Sequence, residues 1–276
     1  MKTLRAIFTS AVFALALTSM TMAQNTSGNQ IAVPLSHPGQ PGKLQASLIS
    51  GSISVTGYDG KNVVIRYDFE GKENEDEHQK PPPPGLKRIP NVNGGLEATE
   101  KDNVVTVHTG FRIQNADLKI MVPRNFSLHL STVNNGDIVV KDVNGEMEIS
   151  NVNGDVTMKD ISGSVVANTV NGDLKVTFEK IAPDVPMSFT TLNGDVDVSL
   201  PANAKFTARM KTDQGDIYTD FDMNLSSSPD HKVVTSNKGG VYKVTVGDWR
   251  YGKVNGGGPE LTFKSFNGDI SIRKGR

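Results

Sequence analysis

The sequence predicts an all-β fold in which short strands wind as a solenoid of about 18–22 residues per coil. Three observations carry this expectation. One short phrase recurs five times between residues 133 and 176, and its glycines (Gly136, Gly145, Gly154, Gly163 and Gly172) fall at nine-residue intervals. Its fullest form, apolar-Asn-Gly-Asp-apolar, returns later around Asn193-Gly194-Asp195 and Asn267-Gly268-Asp269, with a variant at Gly215-Asp216. Apolar and polar residues alternate with period two from Leu44 to Ile272, and no amphipathic helix emerges. Finally, the alternation slips at a fixed place in the repeat.

The slip separates two readings of the same motif. Asn-Gly between apolar runs is a strong signal for an antiparallel hairpin. After Gly154, however, the apolar positions are Val156, Met158 and then Ile161. A step of three turns the next side chain to the opposite face unless the backbone bends. Bends at Lys141-Asp142 and Lys159-Asp160 would keep all three inside one tube, as strand-corner-strand coils do. Single repeats cannot bury their apolar side alone, so copies stack in series. With two nonapeptides per turn, Asp137, Asp155 and Asp173 share one corner, and Glu146 and Ser164 the opposite one. Asp195 and Asp216 lie 22 and 21 residues further on, which predicts the next two turns.

The start of the chain reads as an export signal over 1–23. Lys2 and Arg5 precede an apolar run from Ala6 to Leu17, too short to span a bilayer, and small residues end at Ala23. Without Lys2 and Arg5 the remainder carries 27 basic and 30 acidic side chains, a net charge of −3. That balance excludes the basic excess that phosphate neutralisation requires, so no nucleic-acid partner is expected. The chain has no cysteine, which removes disulfides, thiolate metal sites and a lipidated-Cys anchor. No second apolar run is long enough for a membrane span. Periplasm, cell surface or medium is the expected destination.

Residues 24–43, rich in Gly, Pro and polar side chains, predict a flexible lead-in to a single solenoid domain over 44–276. Strands are expected at 44–67, interrupted by turns at Gly51 and Asp59-Gly60. Residues 71–90 carry an acidic cluster (Glu73 to Glu77) and Pro81 to Pro84, and predict a disordered surface insertion. Strands resume at Val104, continue through Leu118–Val122 and Phe126–Leu130, and enter the repeat block. A Pro-bearing bulge follows at 181–186. Two further strand pairs cover Met187–Leu200 and Phe206–Phe221, a polar loop at Asn224–Asp230 precedes Val233–Val246, and the last stretch spans Leu261–Ile272.

The corner residues have physical reasons for their types. Glycine adopts backbone angles that residues with a Cβ resist. Asn tolerates the left-handed region, and its amide can stack on the Asn one coil away. Asp can accept a bond from a corner N–H. The predicted structural corner set is Asn153, Gly154, Asp155, Asn171, Gly172, Asp173, Asn193, Gly194, Asp195, Gly215, Asp216, Asn267, Gly268 and Asp269.

Leu192-Asn-Gly-Asp-Val-Asp-Val-Ser-Leu-Pro201, Thr212-Asp-Gln-Gly-Asp-Ile217 and Ser265-Phe-Asn-Gly-Asp-Ile-Ser-Ile272 resemble the bacterial β-strand-repeat family of candidate adhesins, a domain of unknown function. The resemblance covers roughly residues 44–273. It implies a right-handed parallel β-helix-like solenoid in the cell envelope and brings no catalytic residues. The insertion at 71–90 departs from the plain pattern.

The aspartate row invites two chemical readings. Calcium-binding β-rolls use Gly-Gly-x-Gly-x-Asp loops, whereas each corner here has one Gly and one Asp. Coils stack about 4.8 Å apart, and solvated charges at that spacing repel by only about 1 kcal/mol. No ion is demanded, so no metal or cofactor is expected. Glycoside cleavage needs two carboxyl groups in different environments, and the row offers near-identical copies. The five histidines (His37, His78, His108, His129 and His231) are scattered, with His129 expected to face solvent. Trp249, beside Arg250 and Tyr251, is expected to plug an open coil end. The expected function is a non-enzymatic, exported scaffold or adhesin-like protein. The alternative is a polysaccharide-binding or polysaccharide-cleaving β-helix using Asp137, Asp155 and Asp173. Envelope components and surface glycans are the partner classes consistent with export.

Overall fold

The computed structural model describes residues 29–70, 95–110, 113, 115–227, 234–238, 241–245 and 249–275. Among them every regular element is a strand. In chain order these are β1 (Gln30–Pro34), β2 (Gly42–Ser50), β3 (Ile53–Tyr58), β4 (Asn62–Glu70), β5 (Leu96–Lys101), β6 (Val104–Thr109), β7 (Asn115–Pro123) and β8 (Phe126–Asn134). The repeat block supplies β9 (Ile138–Lys141), β10 (Asn144–Asn151), β11 (Val156–Asn168) and β12 (Leu174–Ile181). There follow β13 (Met187–Thr190), β14 (Val196–Leu200), β15 (Phe206–Gln214), β16 (Ile217–Thr219) and β17 (Met223–Ser227). The last five are β18 (Val234–Lys238), β19 (Val241–Thr245), β20 (Arg250–Val254), β21 (Glu260–Asn267) and β22 (Ile270–Lys274). Strands β18 and β19 pair only with each other, and all the others join one continuous sheet. The expected export signal and the insertion at 71–90 lie outside the described residues.

Period two decides which side chains enter the tube. In β8, Phe126, Leu128 and Leu130 are buried while Ser127, His129 and Ser131 look outward. Successive rungs then pair in parallel: Val156 lies between Ile138 on one side and Leu174 on the other. This is solenoid stacking, and the hairpin reading of Asn-Gly fails through the repeat block. The bends fall where the slip requires them. Asp142 and Asp160 have φ of 57° and 54°, and Val156, Met158 and Ile161 are all fully buried.

Eight parallel rungs, each a strand pair joined at one corner, stack in the order β6–β7, β2–β3, β8–β9, β10 with the first half of β11, the second half of β11 with β12, β13–β14, β21–β22, and β15–β16. Both ends of this order depart from the sequence. Rung β2–β3 sits between two rungs that follow it in the chain, and rung β21–β22 is threaded between β13–β14 and β15–β16. The expectation that Asp195 and Asp216 occupy adjacent turns is therefore corrected, because Asp269 comes between them. The threaded rung has both of its edges paired, and it brings Phe263 onto Phe189 at 5.3 Å in a stacked pair.

Two further expectations change. The supposed lead-in carries β1, which pairs antiparallel with β4 and buries Val33 and Leu35. The parallel pattern also stops at the ends of the stack. Antiparallel strands β5, β4 and β1 close one end, and β20 and β17 lie over β15 at the other.

Candidate functional site

The repeat builds three parallel ladders at one corner, and each has its own chemistry. The outermost is made of carboxylates. The backbone N–H of Asp155 donates to Asp137 Oδ1, that of Asp173 to Asp155, that of Asp195 to Asp173, that of Asp269 to Asp195 and that of Asp216 to Asp269, all at 2.7–2.8 Å. Charge-assisted bonds to backbone N–H groups are the stronger kind, so the row of like charges is held by the backbone it caps. Beside it runs an amide ladder. Asn171 Nδ2 donates to Asn153 Oδ1, Asn193 Nδ2 to Asn171 Oδ1 and Asn267 Nδ2 to Asn193 Oδ1, at 2.7–2.8 Å.

The third ladder lies inside. Thr169 Oγ1 donates to Gly154 O, Thr191 Oγ1 to Gly172 O and Ser265 Oγ to Gly194 O, each at 3.0 Å, and Thr212 Oγ1 donates to Gly268 O at 2.8 Å. Sequence reasoning missed this column. The signal was available: each hydroxyl stands three residues before its own glycine, so the working motif is Thr/Ser-x-Asn/Gln-Gly-Asp. Asn151 takes the same place one rung earlier and donates Nδ2 to Gly136 O at 3.0 Å.

The glycines are required by contact as well as by conformation. A Cβ on Gly172 would overlap the carbonyl oxygen of Gly154, and one on Gly194 that of Gly172. The structure thus places all fourteen expected corner residues in contiguous columns of aspartate, asparagine and glycine. Gly215 is exposed and ends its column among the described residues, stacked over Gly268.

An open groove of about 630 Å³ runs beside the carboxylate ladder near the Gly215 end. Asp173, Asp195 and Asp269 line it together with Lys175, Asp197, Arg273 and Tyr218. Arg273 Nε donates to Asp197 Oδ1 at 2.9 Å. Tyr218, 53% exposed, donates its hydroxyl to Asp216 Oδ2 at 3.3 Å. The negative charges of Asp216 and then Asp269 hold the Tyr218 phenol above its ordinary pKa. Among the described residues no group of three or more His, Asp or Glu side chains is placed to hold a metal ion.

Trp249 does not plug the coil. Its ring lies under the Arg209 guanidinium, 4.0 Å from centroid to Cζ, and the tube end is filled instead by Phe221, edge-on to Phe206 at 5.4 Å. His129 lies on the outer face with Nδ1 2.9 Å from Glu148 Oε2.

No curated protein matches this chain. A candidate cell adhesion protein from Clostridium sporogenes is 11% identical, with 89% of this chain and 99% of that one covered at a TM-score of 0.40. A candidate adhesin from Bacteroides fragilis is 10% identical, with 89% and 95% covered at a TM-score of 0.28. The profile of the Toastrack DUF4097 family matches residues 18–249, most of the chain, and the protein belongs to that family.

Proposed function

We propose that this protein is a non-enzymatic, exported β-solenoid that serves as an envelope or surface scaffold of adhesin-like type. In this reading residues 1–23 direct export, one solenoid domain follows, and the coil winds right-handed at about 18–22 residues per turn where the chain is uninterrupted. The corner residues Asn153, Gly154, Asp155 and their copies serve the architecture. The observation that carries the proposal is the equivalence of the aspartates. Each of Asp137, Asp155, Asp173, Asp195 and Asp269 commits one carboxylate oxygen to the next rung's backbone N–H. Acid–base catalysis needs one carboxyl group set apart from another, and a row of copies serves a ladder.

One observation favours the alternative of a surface glycan ligand. Tyr218 stands exposed beside the carboxylate ladder and the Asp197–Arg273 pair, and an aromatic ring among polar groups can stack a sugar while its neighbours bond the hydroxyls. Incubation with a glycan panel tests both readings. The scaffold predicts no release of reducing ends, and release abolished by Asp155→Asn would overturn it. Glycan binding lost in Tyr218→Ala without cleavage would establish the alternative.

A further inference from the structure

An asparagine followed by glycine is open to a spontaneous reaction. The glycine nitrogen has no side chain beside it. Once deprotonated it attacks the asparagine Cγ, closes a five-membered succinimide and expels ammonia. Water then opens the ring at either carbonyl, leaving aspartate or isoaspartate. The sequence holds eight such pairs, beginning at Asn93, Asn135, Asn144, Asn153, Asn171, Asn193, Asn255 and Asn267. Asn93-Gly94 lies outside the described residues, and the fold treats the other seven unequally.

Four of them stand in the repeat corner, where both reacting groups are engaged. Gly154 N–H donates to Asn171 O, Gly172 N–H to Asn193 O, Gly194 N–H to Asn267 O and Gly268 N–H to Gln214 O, all at 2.9 Å. Asn153 gives its Nδ2 to Val133 O at 3.2 Å, and Asn171, Asn193 and Asn267 give theirs along the amide ladder. Ring closure at these corners requires a local opening that breaks both bonds. Asn144 lies within β10 and donates Nδ2 to Asn125 Oδ1 at 2.9 Å, and Asn255 donates Nδ2 to Ala204 O at 2.8 Å.

Asn135-Gly136 is held by neither device. The corner from Asn134 to Asp137 has one residue more than the corner from Asn153 to Asp155. Asn134 takes the ladder place, accepting Asn153 Nδ2 on its Oδ1 at 3.3 Å and Gly51 N–H on its carbonyl at 2.9 Å. Asn135 is the extra residue, exposed and with φ of 53°. Among the described residues neither its side-chain amide nor the Gly136 N–H has a hydrogen-bond partner. The groups around it stay engaged: Gly136 O accepts Asn151 Nδ2 at 3.0 Å, and Asp137 Oδ1 accepts Asp155 N–H at 2.8 Å. The reactive pair therefore bulges from a corner whose ladders are intact.

We propose that Asn135 is a site of self-modification, deamidating through the Gly136 nitrogen to aspartate and isoaspartate, while the ladders protect the Asn-Gly pairs of the stack. The balance is asparagine and water giving the acid and ammonia, with no enzyme or redox partner. The product carries a new negative charge beside Asp137, the first member of the carboxylate row.

The test is peptide mapping by mass spectrometry of the full chain, incubated at mildly alkaline pH both folded and in urea. In the folded chain Asn135 converts at least about tenfold faster than Asn144, Asn153, Asn171, Asn193, Asn255 and Asn267, the factor that breaking one hydrogen bond imposes. In urea the seven rates converge, because every one of these asparagines precedes a glycine. Conversion at Asn135 no faster than at the other six in the folded chain would overturn the proposal. So would the same lead persisting in urea, which would assign the difference to local sequence and not to the ladders.

Discussion

Asn151→Thr should stabilise the protein, and the reason lies in the inner ladder. Asn151 is fully buried, and its Oδ1 has no hydrogen-bond partner. Its Nδ2 makes the bond to Gly136 O that a threonine hydroxyl makes at the equivalent places in other rungs. An orphaned buried acceptor costs about 1–3 kcal/mol. Threonine keeps the bond and removes the amide oxygen, at the expense of a small void worth about 0.5 kcal/mol at roughly 24 cal/mol per Å³. The net gain is about 0.5–2.5 kcal/mol, which for a domain of this size raises Tm by about 1–10 °C. Thr169→Asn should lose a similar amount. Thermal and urea unfolding followed by circular dichroism measure both. A lower midpoint for Asn151→Thr, or an unchanged one for Thr169→Asn, would refute the claim that the column prefers a hydroxyl.

Gly172→Ala forces a Cβ onto the Gly154 carbonyl and should cost about 1–3 kcal/mol or more as overpacking, while Gly95→Ala, with nothing within 4 Å, leaves the urea midpoint unchanged. Asp216→Asn removes the charge that contributes most to the raised Tyr218 pKa, so the phenol should ionise at lower pH in an ultraviolet titration. Glu100 gives a stability effect with a defined sign. Partial burial pushes its pKa up, but bonds from Ser36 N–H and Oγ and from Asn103 N–H, with His37 nearby, outweigh burial and hold it below the ordinary value. A lowered folded-state pKa means the clamp is fully present above the unfolded value and is lost as pH falls through the folded one. Protection of the Ser36 and Asn103 amides should therefore drop in that acidic window, and in Glu100→Gln, whose Oε1 still accepts but carries no charge, it should be weaker and independent of pH there.

The parts legible in the sequence were those that repeat. The three-residue step from Met158 to Ile161 located the bends at Asp142 and Asp160, because parity is strict in a strand. Asn and Asp recurring at 18-residue spacing announced their ladders. The order of the rungs was not legible. Gln214-Gly215-Asp216 and Asn267-Gly268-Asp269 offer nearly the same corner chemistry, so spacing alone placed the nearer one next to Asp195. Strand β1 was hidden for another reason. The buried Val33 and Leu35 are too few to show a period, and the strand that β1 pairs with, β4, lies outside the local sequence. The hydroxyl column escaped because Thr, Ser and Asn share the position without sharing a name.

Threading the last rung inward looks expensive in loop closure, and the magnitudes show that it is not. Neighbouring aspartates in the repeat block are 18 residues apart, whereas Asp195 and Asp269 are 74 apart. Loop-closure entropy grows only as the logarithm of length, so the longer excursion costs about 1.3 kcal/mol more. Against this stand Leu261, Phe263, Ile270 and Ile272, all fully buried in the threaded rung, each worth about 1.5–3 kcal/mol. At the outside of the stack the same rung would leave one edge open. Inside, it pairs with β13 and β15 on one face and with β14 and β16 on the other. The open edge is passed outward to β16, three residues long, and short edge strands limit indiscriminate pairing. The fold thus gives its apolar rung a partner on each side and leaves the single-neighbour position, among the described residues of these parallel rungs, to its shortest strand.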